Sequence, residues 1–163
     1  MVEEEMVIEV PGGEDVEALA RMFHDDMEDL GVETRLEDLR EVAEAVVSES
    51  LEDPPGLYCR VARLKPGGEA VGVVVANFNW SLKFAGRSMW IEELYVSPAA
   101  RRRGVGRELV EELLDWADAH GFKGIDLEAY RGNTPASIMY RALGFHRLGR
   151  ERFYYRVGSS EFL

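Results

Sequence analysis

An α/β domain on a mixed sheet is the fold class that this 163-residue sequence predicts, and three patterns predict it. Two stretches with helical spacing of apolar residues come first, three β-rich runs joined by turn signals follow, and one strand–helix–strand crossover comes after them. In chain order the pattern reads β-α-α-β-β-β-α-β-α-β-β, a central sheet of about six to seven strands flanked by about four helices, all in one domain over residues 1–163.

Met6–Val10 alternates weakly and ends at Pro11-Gly12-Gly13, a short strand and its turn. Asp15 is placed to cap a helix running to about Asp29, with Val16, Leu19, Ala20 and Phe23 on one face and Gly31 ending it. A second helix fits Leu36–Leu51, with Leu39, Val42, Val46 and Val47 as its stripe, and Pro54-Pro55-Gly56 stops it. Leu57–Leu64 and Ala70–Trp80 are β-rich, and Lys65-Pro66-Gly67-Gly68 between them is a hairpin signal. Ser88–Val96 is a third β-rich run after a turn at Ala85-Gly86. Val105, Leu109, Leu113, Trp116 and Ala117 keep helical spacing from about Gly104 to His120, and Gly121 supplies the stop. Ile125, Leu127 and Ala129 alternate as a strand. Thr134 is read as the N-cap of a short helix, with Pro135 at its first position and Gly144 closing it. Two final strands are expected at Phe145–Leu148 and Arg152–Val157.

Composition narrows the function classes. No apolar run approaches the ~20 residues that a bilayer-crossing helix needs, and the start Met1-Val2-Glu3-Glu4-Glu5-Met6 is acidic where a secretory signal is basic. Cys59 is the sole cysteine, and His24, His120 and His146 are widely separated, so neither a disulfide nor a metal site is expected. These features suggest a cytoplasmic protein. A net charge of -12 argues against a nucleic-acid partner, and nothing suggests a membrane partner. The charge is unevenly spread: residues 1–56 carry 19 acidic and 3 basic side chains, and residues 57–163 carry 12 and 16. Either the acidic half is a solvated face, or one half suits a cationic partner and the other an anionic one.

The crossover carries the chemistry. Leu94-Tyr95-Val96-Ser97-Pro98-Ala99-Ala100-Arg101-Arg102-Arg103-Gly104-Val105-Gly106-Arg107 reads as strand, short loop and helix start. Free main-chain N–H groups at a helix start attract anions, glycines let a phosphate approach, and the arginines add charge. A diphosphate suits this loop. It is not a Walker loop, because Gly-x-x-x-x-Gly-Lys-Ser/Thr is absent, and the dinucleotide pattern fails because residue 109 is Leu.

Arg101-x-x-Gly104-x-Gly106 resembles the Arg/Gln-x-x-Gly-x-Gly/Ala motif of the GNAT N-acetyltransferases, and Ile91–Pro98 before it resembles that family's fourth strand. Asn133-x-x-Ala136-x-x-x-Tyr140-x-x-x-Gly144-Phe145 is similar to the family's second block. The resemblance implies the GNAT fold and acetyl-CoA as co-substrate. It implies that Arg101, Arg102, Arg103, Gly104, Val105, Gly106 and Arg107 hold the CoA diphosphate, mainly through main-chain N–H groups. It further implies that the fourth and fifth strands splay, so that the main chain of Leu94, Tyr95 and Val96 meets the pantetheine arm and Leu94 N–H faces the thioester oxygen. Asn133 has two readings, a helix cap or a contact to the CoA arm.

Acetyl transfer to an amine requires that an ammonium lose its proton, that the carbonyl oxygen meet hydrogen-bond donors and that the leaving thiolate gain a proton. By resemblance, Glu92 is the first choice of base, with Glu93 the alternative or a substrate contact, and Tyr140 is the acid. Simple alternation would put Glu92, Leu94 and Val96 on one strand face and Glu93 and Tyr95 on the other. The acceptor is expected to be a small cationic amine. It would be framed by the acidic segment Asp25, Asp26, Glu28, Asp29 and Glu33, of which Asp29 and Glu33 are the chosen contacts, together with Trp80. A protein Nα- or lysine acetyltransferase, a non-catalytic acyl-CoA-binding module and a nucleotide-binding protein are the competing readings. Relatives in this family are often homodimers, and Phe153-Tyr154-Tyr155 would either pair across such an interface or form an inner strand.

Overall fold

Two apolar stripes and a run of β-branched residues fix the layers. A computed structural model describes residues 5–130 and 132–158. Strand β1 (Val7–Glu9) leads through a turn to helices α1 (Val16–Asp29) and α2 (Leu36–Ser50). Strands β2 (Leu57–Arg63), β3 (Ala70–Ser81) and β4 (Gly86–Val96) follow, then α3 (Val105–Ala119), β5 (Gly124–Leu127) and α4 (Thr134–Ala142). The sheet order is β1-β2-β3-β4-β5. The first four strands form an antiparallel meander, and β5 joins β4 in parallel through the α3 crossover.

One face of the sheet packs on α1 and α2: Leu19, Met22, Phe23, Ala43, Val46 and Val47 meet Val61, Val73, Val75 and Tyr95. On the other face Val105, Leu109, Leu113 and Ala117 of α3 meet Tyr58, Ala62, Val74, Met89 and Ile91. Ala43 rather than Val42 completes the α2 stripe, and Val42 is half exposed. Gly72 makes the α3 contact close, since a Cβ there would stand 2.9 Å from Val105 Cγ1.

Asp15 stands at the N-cap position of α1, as the sequence suggested, but its side chain makes no capping hydrogen bond to that helix. It ends a short turn before the helix, accepts the N–H of Gly12 and takes two hydrogen bonds, at 2.8 and 2.9 Å, from the buried guanidinium of Arg63. Arg63 also donates to Glu9 and to the Gly68 carbonyl, tying β1, β2 and the start of α1 together.

Among the described residues the sheet has five strands instead of six or seven. Residues 145–148 and 152–157 form no ladder, and Phe153, Tyr155 and Val157 are each more than four-fifths exposed. Their alternation gives a one-sided apolar face. A strand also needs a ladder with a neighbour, and among the described residues this segment joins no ladder, even though β5 is the last strand in the sheet order.

Candidate active site

The site lies where β4 outruns β5. Pairing between them stops at Ile91 with Leu127, and β4 continues five residues to Val96, held among the described residues only by β3 on its other side. An unpaired strand edge leaves main-chain donors and acceptors for another extended chain. Leu94 lies opposite Val74 in the β3 ladder, within the part of β4 that β5 does not pair. The half-buried side chains of Leu94 and Val96 pack toward α3, and Tyr95 is buried against α1 and α2.

The loop after β4 delivers the start of α3 to that edge. Ser97 N–H is anchored on the Val71 carbonyl, and a short turn over Pro98–Ala100 leads into the arginine run. Gly104 sits at the N-cap with φ +76°, a left-handed conformation that costs a residue with a Cβ about 1–2 kcal/mol. The first helical bond runs from Glu108 N–H to Gly104 C=O, so the N–H groups of Val105, Gly106 and Arg107 precede it, and no side chain among the described residues caps them. A Cβ at Gly106 would meet nothing closer than Val96 Cγ2 at 3.7 Å, so the protein's own packing does not require glycine there. An exposed, uncapped helix start beside a bare glycine suits a diphosphate.

The arginines divide by role. Arg101 donates through Nε to the Val96 carbonyl at 2.9 Å, lies over the Tyr95 ring and stands 3.9 Å from Asp29, so it braces the end of β4 against α1. Arg107 is paired with Glu111 one turn along the helix. Arg102 and Arg103 are exposed, and Arg102 holds a positive φ of 63°. Val105 is buried under the loop.

The two glutamates part company at a β-bulge. Val75 pairs with Glu93 and Ala76 with Ile91, which leaves Glu92 as the extra residue. Simple alternation therefore fails here. Ile91 and Leu94 share the α3 face, while the exposed Glu92 accepts the indole N–H of Trp90 at 3.1 Å. Glu93 shares the α1 face with Tyr95 and hydrogen-bonds the carboxyl group of Asp26 on α1. Burial and that second carboxyl push Glu93 up to about 9. Tyr140 on α4 packs edge-on against Phe145, 5.5 Å between ring centres. Burial, with Glu93 and Asp26 adding to it, raises the Tyr140 phenol to about 12, so it is protonated at neutral pH.

Glu93, Asp26 and Tyr140 thus come together from three elements. Asp29 is exposed beside Arg101, and Glu33 is exposed in the link between α1 and α2. Trp80 does not join them. It is 82% exposed and pairs with Arg87, five residues or ~17 Å along β3 from the partner of Glu93. Asn133, rather than Thr134, is the N-cap of α4: its Oδ1 accepts the Ala136 N–H at 3.3 Å. A hollow of about 450 Å³ against β5, lined by residues such as Phe84, Phe122, Ile125 and Leu148, contains none of these groups.

Sequence reading named Asp26 only as one acid among several. Its position carried a sharper signal, since Leu19, Met22, Phe23 and Asp26 follow i, i+3, i+4, i+7, so Asp26 extends the buried stripe by one turn.

Comparison with known proteins agrees with this geometry. N-alpha-acetyltransferase RimI of Mycobacterium tuberculosis is 39% identical over 71 residues, 44% of this chain and 43% of that protein. Thialysine N-epsilon-acetyltransferase of Bos taurus is 29% identical over 107 residues, 62% of each. The chain therefore spans less than two thirds of these relatives. The aminoglycoside N-acetyltransferase AAC(6')-Iy in complex with CoA superposes with a TM-score of 0.74 at 19% identity, over 94% of this chain and 95% of that one. A possible acetyltransferase from Clostridium difficile 630 gives 0.78 at 19% identity, over 94% and 99%. The pattern of the acetyltransferase (GNAT) family matches residues 17–145, most of the chain, and the chain belongs to that family.

Proposed function

We propose that the protein transfers an acetyl group from acetyl-CoA to a primary amine by direct attack, with both substrates bound together. The observation that carries this reading is the unpaired end of β4 leading into an uncapped helix start. The N–H groups of Val105, Gly106 and Arg107 would hold the diphosphate, with Arg102 and Arg103 adding charge, and the main chain of Leu94–Val96 would hold the pantetheine arm. Asn133 caps α4, and its remaining polar groups would meet the same arm. Acetyl-CoA supplies an electrophilic carbonyl carbon and a thiolate leaving group.

The chain's own groups meet the three chemical demands. Leu94 N–H is the donor for the carbonyl oxygen as charge gathers on it. Glu93, half-buried beside Tyr140, is the base in place of the exposed Glu92. Tyr140, protonated at neutral pH, is the acid. The C–N bond forms as the C–S bond breaks, and the ammonium gives up two protons, one ending on sulfur and the other in solvent.

The acceptor read from this site is a small cationic amine, because Asp25, Asp26, Glu28 and Asp29 crowd the end of α1 that faces β4. The match to RimI favours a second reading, a protein α-amine. A CoA-release assay across diamines, aminoglycosides and basic peptides tests both. Turnover with multivalent small amines that weakens with salt is expected, turnover confined to peptides would select the second reading, and no CoA release with any amine would defeat both.

A further inference from the structure

We propose that Trp90, Glu92 and Glu128 form a subsite for the second positive charge of a di- or polycationic acceptor, and that the guanidinium of Arg152 fills this subsite until the acceptor displaces it. The proposal rests on the reading of the acceptor as a small cationic amine, and adds to it where the charge remote from the reacting nitrogen is held.

Strand phase places the subsite. Met89 and Ile91 of β4 and Ile125 and Leu127 of β5 pack on the α3 side of the sheet. Trp90 and Asp126 lie between them and oppose each other across the β4–β5 ladder, so both point to the other face, which is also the face of Glu93. Helices α1 and α2 bury part of that face, and Trp90 is not among the side chains buried beneath them. It is half-buried and stands three residues before Glu93, so at most roughly 10 Å of strand separates the two. An acceptor with one amine at Glu93 can therefore lay a second charge over the indole ring. Trp90 thus takes the part for which the sequence alone offered Trp80.

The ring already carries a cation. The Arg152 guanidinium carbon stands 4.0 Å from the centre of the Trp90 ring, and Arg152 Nε is 2.7 Å from Glu128 Oε2. The indole N–H donates to Glu92 at 3.1 Å, which orients the ring and puts a carboxylate at its edge. An aromatic face with carboxylates beside it is the chemistry that recognises ammonium and guanidinium groups. Asp126 on the same face is engaged by Lys83 at 2.7 Å, so it is Arg152 that an incoming cation must displace. The hold on Arg152 is weak, because its side chain and that of Glu128 are each 58% exposed. The segment that carries Arg152 joins no ladder among the described residues, so the side chain can leave without breaking a sheet.

Two measurements on the full-length protein test this. In the first, the indole N–H signals of the three tryptophans are followed by 1H–15N NMR, with that of Trp90 assigned through Trp90→Phe. Cadaverine and its singly charged match, pentylamine, are titrated in with CoA present, so that no transfer occurs. The Trp90 signal should move saturably with cadaverine and stay in place with pentylamine. Arg152→Ala should tighten cadaverine binding by about threefold to tenfold, the combined worth of an exposed cation–π contact and an exposed ion pair. Glu128→Gln added to Arg152→Ala should give most of that gain back. A Trp90 signal that cadaverine does not move, or that both amines move alike, would overturn the proposal. So would cadaverine binding that is unchanged or weaker in Arg152→Ala, which would make Arg152 an anchor for its own segment. In the second, kcat/KM is measured for both amines with acetyl-CoA. The preference for cadaverine should rise in Arg152→Ala by the same factor, through KM and not kcat, and a change confined to kcat would count against the subsite. Absence of turnover with either amine would count against the acetyltransferase reading instead, and the NMR titration would still decide for or against the subsite.

Discussion

Replacing Gly104 with alanine separates the conformation of the loop from its chemistry. A Cβ at this position meets nothing within 4 Å, so the substitution creates no clash. What remains is backbone strain. Gly104 holds φ +76°, and an L residue in that region costs about 1–2 kcal/mol. The stiffer unfolded chain returns about 0.4–1 kcal/mol. The net loss is about 1 kcal/mol, or roughly 2–4 °C in Tm for a chain of this length. Asparagine tolerates the left-handed region better, and Gly104→Asn should lose less than half as much. Ligand protection is the second readout. Acetyl-CoA at 100 times its Kd should stabilise the wild type by about 2.7 kcal/mol. If alanine relaxes toward negative φ, the N–H groups of Val105, Gly106 and Arg107 turn away, and a tenfold loss of affinity would remove about 1.4 kcal/mol of that protection. Thermal unfolding with and without acetyl-CoA measures both effects. An unchanged Tm without ligand would refute the strain argument, and equal ligand protection in wild type and both variants would refute the cradle.

Two further predictions follow from other parts of the structure. Tyr140→Phe should lower kcat by about 100-fold or more while leaving the Kd for acetyl-CoA unchanged, as stopped-assay kinetics and calorimetry would show; a parallel loss in both would return Tyr140 to packing. Arg63→Met should leave the buried Asp15 carboxylate unpaired and cost about 3 kcal/mol, the lower end of the range because Glu9 in the same network is half exposed. The Arg63 guanidinium holds Asp15 below the usual carboxylate range, so its stabilisation is complete above the ordinary Asp value and disappears as pH falls through the lowered one. The Tm gap between wild type and variant should accordingly be full at pH 7 and close in strong acid; a gap independent of pH would show that packing, not charge, is responsible.

The shape of the loop before α3 was legible because local residue types encode it. Gly104 is a left-handed cap, Gly106 is a bare position, and both lie within one loop whose sequence neighbours are also its spatial neighbours. The stripes on α1 and α3 were legible for the same reason. The grouping of Asp26 with Glu93 was not, because it depends on contacts between distant segments. Asp26 and Glu93 are far apart in sequence and meet only once α1 has packed on β4. The C-terminal strands failed in the opposite way: the alternation of Phe153, Tyr155 and Val157 is real, but a strand exists only with a partner, and alternation says nothing of one.

The bulge at Glu92 is the instructive case, because its signal was present and was a matter of phase. Met89 and Ile91 are spaced by two, as are Leu94 and Val96, but Ile91 and Leu94 are spaced by three. A regular strand cannot send all four to one face, since its side chains alternate with period two. One inserted residue resolves the conflict, and the residue between the two runs that pairs with nothing is Glu92. The insertion keeps the apolar side chains on both sides of it against α3. It also sends Glu93 to the α1 face, where Asp26 stands, and leaves Glu92 to Trp90 and solvent. A one-residue change of phase thus sends two adjacent glutamates to different surroundings, and an apolar spacing of 2, 3, 2 narrows the inserted residue to Glu92 or Glu93 before the register settles on Glu92.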